Sequence, residues 1–272
     1  MLSQVRIDSP APASLQPNVP ALIGVSCPSR NFCLAVDAEG RSMELDGGQW
    51  TQPRQFAKSG EVLDAVSCAT PTFCVAGSET GDIYQFNGSN WSTAQDILPQ
   101  DANANASYEP GPALVTVTCT SIRFCFAIDT SGSYSIFGGK TWSPLLNMPA
   151  QDNGFVGDVS CAVGPTCVVI MGSGKMFMYR YHKKVWSRVP RLGNLATFNT
   201  GAGYNLVACT GPSFCVALNK NGDTVEYNGT RWTNPVRVDP HSRWRGFSYL
   251  DSVGCSSRSL CITADLAGYI TS

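Results

Sequence analysis

The residues best suited to chemistry in this chain are its twelve cysteines, which come in six pairs, each with five residues between the partners. They are Cys27/Cys33, Cys68/Cys74, Cys119/Cys125, Cys161/Cys167, Cys209/Cys215 and Cys255/Cys261. Paired thiols serve metal binding, redox cycling or cross-linking. Zinc sites want cysteines roughly two to four residues apart, with a second pair or histidines to complete the shell. The only histidines, His182 and His241, stand far from any pair, and the redox spacing C-x-x-C is absent. Six identical pairs with none left over predict six local disulfides and an oxidising compartment. No metal and no cofactor is expected.

Carboxylates are the next candidates. Asp64 and Asp251 stand four residues before the first cysteine of their pair, and Asp158 stands one position further on. At the starts of equivalent strands they would converge near one mouth of a channel, where paired acids could hydrolyse a glycosidic bond. Nucleophilic catalysis needs a base beside its nucleophile. His182 has no such partner in sequence, and His241 has only Asp239 and Asp251 nearby. No catalytic set is assigned.

These residues are positioned by a repeat. The first cysteines recur at intervals of 41, 51, 42, 48 and 46 residues. A valine stands two residues before each, and a glycine seven residues after each second cysteine, at Gly40, Gly81, Gly132, Gly174, Gly222 and Gly268. Trp50, Trp91, Trp142, Trp186 and Trp232 follow the second cysteine by 17 residues, or by 19 in the fourth repeat. Each unit reads as four short strands, as in "DAVSC", "FCVAG", "DIYQFNG" and "WSTAQDI", with β-branched residues, period-2 alternation and Asn-Gly turns. Asp37, Asp129, Asn219 and Asp265 precede the glycine turns, where their side chains are expected to bond the turn's own backbone.

Four strands per repeat of this length predict an all-β, six-bladed β-propeller, with one C-x5-C disulfide per blade. Blade cores start near residues 22, 63, 114, 156, 204 and 250, within a single domain over 1–272. The last repeat stops in its third strand. "VRIDS" at 5–9 matches "VRVDP" at 236–240, so residues 2–9 are expected to complete the last blade and close the ring. The five residues between paired cysteines then form the hairpin between the first and second strands.

The hairpins share one face with the third-to-fourth turns, and the tryptophans there are expected to pack between blades. The opposite face varies. Its connections hold Tyr108, Phe198, Tyr204, His241, Trp244, Phe247 and Tyr249. Trp244 lies outside the repeat and is flanked by Arg243 and Arg245, a combination suited to sugar rings or a protein partner. The candidate ligand-binding set is Trp244, Arg243, Arg245, Tyr249, Tyr204, Phe198, Tyr108, Asp251 and Asp64.

The phrase "VSC-x5-C-V-A", with its later Gly and "Y-N-G-x-x-W", resembles a repeat of secreted actinobacterial proteins. There such blades accompany proteases, kinases or toxin assemblies, and some members look like lectin modules. The resemblance covers essentially the whole chain. "SIFGGKTW" at 135–142 is similar to the Asp-box of sialidase-type propellers, with Phe137 in place of its aspartate. "MELDGGQW" resembles the blade ending of six-bladed fucose-binding lectins, although Glu44 has only Glu226 as an equivalent and no arginine recurs beside it.

The net charge is −1 and only 14% of residues are charged, and nothing in the chain forms a basic footprint for nucleic acid. No run of about 18 apolar residues could span a bilayer. The N-terminus lacks a signal-peptide pattern, so a removed leader or a trimmed larger protein is expected. The function expected first is a non-catalytic, extracellular, carbohydrate-binding module. A protein-interaction or targeting domain of a secreted or toxin assembly comes second, and a glycoside hydrolase or lyase third. The partner is a glycan or protein on the connection face, and the chain is expected to be a monomeric domain of a larger protein or complex.

Overall fold

The computed structural model describes residues 22–97, 114–149, 155–164, 166–173, 175–188, 206–219, 222–237, 250–265 and 270–271. They form six antiparallel sheets, each a meander in chain order. The first comprises Leu22–Ser29, Phe32–Asp37, Arg41–Asp46 and Gln49–Trp50, with Arg54–Gln55 also pairing its third strand. Later sheets open with Leu63–Thr70, Leu114–Ser121, Val156–Ala162, Leu206–Gly211 and Leu250–Ser257. Four of these five are four-stranded, and the sixth shows three strands among the described residues. The closing segment proposed at residues 2–9 lies outside the described residues, as do Gly174 and Gly268.

The chain divides into two compact units, one holding the first three sheets and the other the last three. Their cores follow from strand composition. Second strands such as Phe124–Asp129 and Thr166–Met171 are buried along their whole length, as strands covered on both faces must be. Each apolar cluster spans two consecutive sheets. Leu34, Val36 and Ala57 of the first meet Leu63, Tyr84 and Phe86 of the second. Val75 and Ile83 of the second meet Leu114, Val117 and Phe137 of the third. In the other unit Val168, Ile170, Met176 and Met178 meet Val207, Ala217 and Val225, and Phe214, Val216 and Leu218 meet Val253.

All twelve cysteines are joined in the expected pairs: Cys27–Cys33, Cys68–Cys74, Cys119–Cys125, Cys161–Cys167, Cys209–Cys215 and Cys255–Cys261, with Cα atoms 3.9–4.1 Å apart. Facing positions on adjacent strands create this geometry, as in the registers Cys68↔Cys74, Cys119↔Cys125, Cys161↔Cys167, Cys209↔Cys215 and Cys255↔Cys261.

The second strand begins one residue before its cysteine, as expected from "FCVAG", while the first runs two residues past the end of "DAVSC". The five residues between partners are not all hairpin turn, because strand pairing runs on beyond the cysteines. In the second sheet only Pro71 and Thr72 separate Leu63–Thr70 from Phe73–Ser78. Cys33, Cys74, Cys125, Cys167, Cys215 and Cys261 are each the second residue of a second strand. The cause is β-geometry: facing Cβ atoms on paired strands reach disulfide distance, whereas a turn would splay them.

The hairpin face is otherwise as expected. Gly88, in the third-to-fourth turn, has φ +95°, and a Cβ there would sit 2.9 Å from Thr72 in the hairpin of the same sheet. Only glycine tolerates both demands.

Two details depart from the simple repeat. The tryptophan after the third strand is usually a lone bridge residue, as in Phe86↔Trp91, Phe137↔Trp142 and Tyr227↔Trp232; the outer strand proper is a later two-residue stretch. In the fourth sheet a 3₁₀ turn at Tyr181–Lys183 and left-handed Lys184 (φ 49°) replace the Asn-Gly turn. The two extra residues there allow a continuous outer strand, Val185–Arg188.

Candidate functional site

The cysteines are scaffold and not a site. All are bonded, which leaves no thiolate for nucleophilic or metal chemistry. Cys74, Cys125, Cys167 and Cys215 are buried in the sheets, while Cys33 and Cys261 are half-buried.

The tryptophans are scaffold too. Trp91 stacks on Phe56 at 4.0 Å, and its Nε1 donates to Ser42 Oγ of the preceding sheet at 3.1 Å. Trp142 and Trp232 pack in the two-sheet clusters, and their Nε1 groups are buried without an acceptor. The reason is legible in the repeat: nine residues after the second cysteine stands Ser42 in the first sheet, but Ile83 and Met176 in the second and fourth. Asp37, Asp129 and Asn219 are turn residues as expected. Asp37 Oδ1 accepts from the N–H groups of Glu39 and Arg41, both at 3.0 Å. Asp129 and Asn219 accept from the N–H groups of Ser133 and Asp223 at 2.9 Å. "SIFGGKTW" does fall at a third-to-fourth turn, with Phe137 buried in the core.

At the opposite edge the inner strands begin with a register irregularity. Pairing skips between Leu22 and Gly24, Leu63 and Ala65, Leu114 and Thr116, Val156 and Asp158, and Leu250 and Ser252. A bulge frees one residue from the ladder and re-aims its side chain. Asp64 and Asp251 both occupy this position. Burial, reinforced by the charge of Glu79, pushes the Asp64 carboxyl up to about 7. Around it the connection is pinned: Tyr84 donates its hydroxyl to Glu61 and accepts from the Lys58 N–H at 3.1 Å, while Lys58 pairs with Asp82. Among the described residues Glu79 is the acid whose charge reaches Asp64, while Glu61 is engaged by Tyr84 and Asp82 by Lys58.

Asp158 has another role. Its Oδ1 accepts from the Val159 N–H at 2.8 Å and its Oδ2 from the Val207 N–H of the next sheet at 2.9 Å. Burial raises its carboxyl to about 7 despite these two bonds, which pull the other way. With both oxygens engaged, Asp158 ties two sheets together instead of presenting a free acid.

A set of serines passed over in the sequence does the same. Ser26, Ser67 and Ser160, each immediately before a first cysteine, accept from the N–H of the next sheet's first cysteine: Cys68, Cys119 and Cys209, at 2.9, 2.9 and 3.0 Å. The signal was the recurrent hydroxyl at that position, interrupted by Ala208 and Gly254.

Of the candidate ligand residues, Asp64 is the one whose side chain is described. Asp251 is placed on the strand Leu250–Ser257 through its backbone. Trp244, Arg243, Arg245, Tyr249, Tyr204, Phe198 and Tyr108 lie outside the described residues. The described hairpin and connection edges thus have different chemistry, one stapled and uniform, the other bulged and acidic around Asp64.

No protein-family model matches the chain, and no curated protein matches it. Solved structures do, and the likeness of fold is to β-propellers, among them one with WD40 repeats. RRP9 WD40 repeats align with TM-score 0.68 at 11% identity, over 96% of this chain and 80% of that one. "YCF48 bound to D1 peptide" aligns with TM-score 0.64 at 17% identity, over 99% of this chain and 84% of that one. YCF48 from Cyanidioschyzon merolae aligns with TM-score 0.63 at 16% identity, over 94% and 83%. At these identities the likeness is one of fold.

Proposed function

We propose that the chain is a disulfide-stapled propeller scaffold that binds a protein segment at its connection edge, in an extracellular or otherwise oxidising compartment. The observation carrying this reading is the bulge at Asp64. It lifts a half-buried carboxylate out of the ladder beside Glu79, at an edge built from variable connections on a rigid, uniform frame. Binding residues are commonly borne by loops on such scaffolds. The recorded complex of a similar propeller, YCF48, with a peptide supports the same use of the fold. An acidic edge favours a segment rich in Lys and Arg. The test is an array of basic, neutral and acidic peptides probed with the wild type and with Asp64→Asn/Glu79→Gln. Basic peptides should bind and the variant should lose them. Equal binding by both proteins, or none by either, would refute this reading.

The frame itself we read as one six-bladed domain over 1–272, closed by residues 2–9.

A carbohydrate ligand is the second reading, favoured by Trp244 between Arg243 and Arg245 in a long connection. A glycan array that includes microbial wall polysaccharides tests it, with Trp244→Ala as the variant that should lose binding.

A further inference from the structure

Charge is sorted along the hairpin edge of the second unit. Its described turns carry His182, Lys183 and Lys184 after the third strand of the fourth sheet, Arg231 at the same place in the fifth, and Arg258 in the hairpin of the sixth. All five are exposed. The hairpins 162–166, 211–214 and 257–260 and the turns 181–185 and 227–232 contain no Asp or Glu. Asp158 and Asp223 lie toward the other strand ends, and Asp223 is already paired with Arg237 at 3.1 Å; exposed Glu226, one residue before the turn 227–232, is the carboxylate that borders these cations. In a chain of net charge −1, turns that themselves carry one sign are a local feature, whereas solvated turns ordinarily mix signs.

Two of these residues are anchored, Arg258 by its side chain and Lys184 by its backbone. Arg258 Nη2 donates to the Ser213 carbonyl at 3.2 Å, with its guanidinium 5.4 Å from the Phe214 ring centroid. Ser213 in turn lies against Gly229, whose added Cβ would be 2.9 Å away, and Arg231 follows two residues later. Arg258 and Arg231 therefore flank one hairpin across two sheets. Lys184 is fixed in the left-handed region by its N–H bond to the Tyr181 carbonyl at 3.0 Å. Among the described residues no carboxylate pairs with Lys183, Lys184, Arg231 or Arg258.

We infer that this edge binds an anionic polysaccharide bearing sulfate, phosphate or uronate groups. The cations are spread along a rim of Gly, Ser and Thr, which suits a chain of repeated anions read by charge. Single-stranded nucleic acid would want a row of exposed aromatic platforms, and the aromatics of these described turns, Tyr181 and Trp232 among them, are half-buried or buried. Six disulfides agree with a compartment where such polysaccharides occur. The inference concerns the edge opposite Asp64 and does not depend on the peptide reading.

The experiment is binding of the oxidised chain to dextran sulfate, neutral dextran and a DNA duplex across a salt series. Dextran sulfate should bind and weaken steeply as salt rises, by the counterion release that polyanions show. Lys183→Gln/Lys184→Gln, on a solvated turn that leaves packing intact, should weaken it several-fold; adding Arg231→Gln and Arg258→Gln should bring the loss to about tenfold or more. Neutral dextran should not bind. Unchanged affinity in the folded lysine pair variant, absence of dextran sulfate binding, or equally tight DNA binding would each overturn the inference.

Discussion

The Ser67 hydroxyl accepts the backbone N–H of Cys119 at 2.9 Å, across 52 residues and from one sheet to the next. The relationship recurs at Ser26 with Cys68 and at Ser160 with Cys209. Three pairs of consecutive sheets are thus joined by apolar packing and also by a hydroxyl set beside a staple.

Ser67→Ala should cost about 1–3 kcal/mol, because it leaves an N–H in the sheet interface without its acceptor. Urea denaturation measures the loss, and amide exchange at Cys119 should speed up while that at Cys68 does not. Equal protection at Cys119 in both proteins would show that the bond carries no energy.

The tryptophans offer an internal contrast. Trp91→Phe removes a donor that is bonded to Ser42, while Trp142→Phe removes one without an acceptor. Beyond the shared loss of ring area, the first substitution should cost about 1 kcal/mol more than the second. Thermal unfolding of the two variants tests the ordering.

Close approach between sheets gives a third expectation. A methyl on Gly77 would lie 2.2 Å from Leu114 Cδ2, so Gly77→Ala should destabilise by about 1–3 kcal/mol through overpacking. Leu114→Ala alone should cost about 2–5 kcal/mol by leaving a cavity. The double variant should lose less than the sum, since the new methyl enters space the leucine vacated. Additive losses in denaturation would refute this contact.

Stability should also fall as pH rises through the weakly acidic range. Burial pushes the Asp64 and Asp158 carboxyls from 3.8 to about 7 in the folded chain. Between those values the folded chain keeps protons that the unfolded chain has released, so rising pH favours unfolding. The effect is absent below the unfolded value and complete above about 7. The urea midpoint should drop between about pH 4.5 and pH 7.5, and less steeply in Asp64→Asn than in the wild type. A midpoint that changed equally in both proteins across this window would refute the contribution of Asp64.

Much of the frame was legible because it is repeated. Six copies of valine, two cysteines and a glycine at fixed spacing leave little freedom in assigning strands and hairpins, and the pairing Cys119↔Cys125 follows from them. How far the strands run past the cysteines was not legible, since Ala69 and Thr70 read as readily as turn residues as strand. The site was less legible still, for physical reasons. Asp64 looks like any solvated residue at the start of a strand; the bulge that frees it is set by how Leu63 and Ala65 pair with Ser78 and Gly77. The tie from Asp158 to Val207 spans 49 residues, and local pattern says nothing about a partner that far away. The longer spacing to Trp186 was visible, but the left-handed Lys184 that absorbs it depends on the backbone of one turn.

The disulfides close loops only within their own hairpins, each linking residues six apart. They therefore carry no covalent strength from one blade to the next. A protease that cuts two connections could release an intact, oxidised blade, and a chain pulled from its ends would lengthen by almost the full contour of every blade before meeting a staple. Reduction would lengthen the covalent path by only the few residues of each hairpin loop. The cross-links protect individual hairpins, each worth about 2 kcal/mol by loop-closure entropy, while the cohesion of the whole is left to hydroxyls, indoles and packed valines that reform without any oxidant.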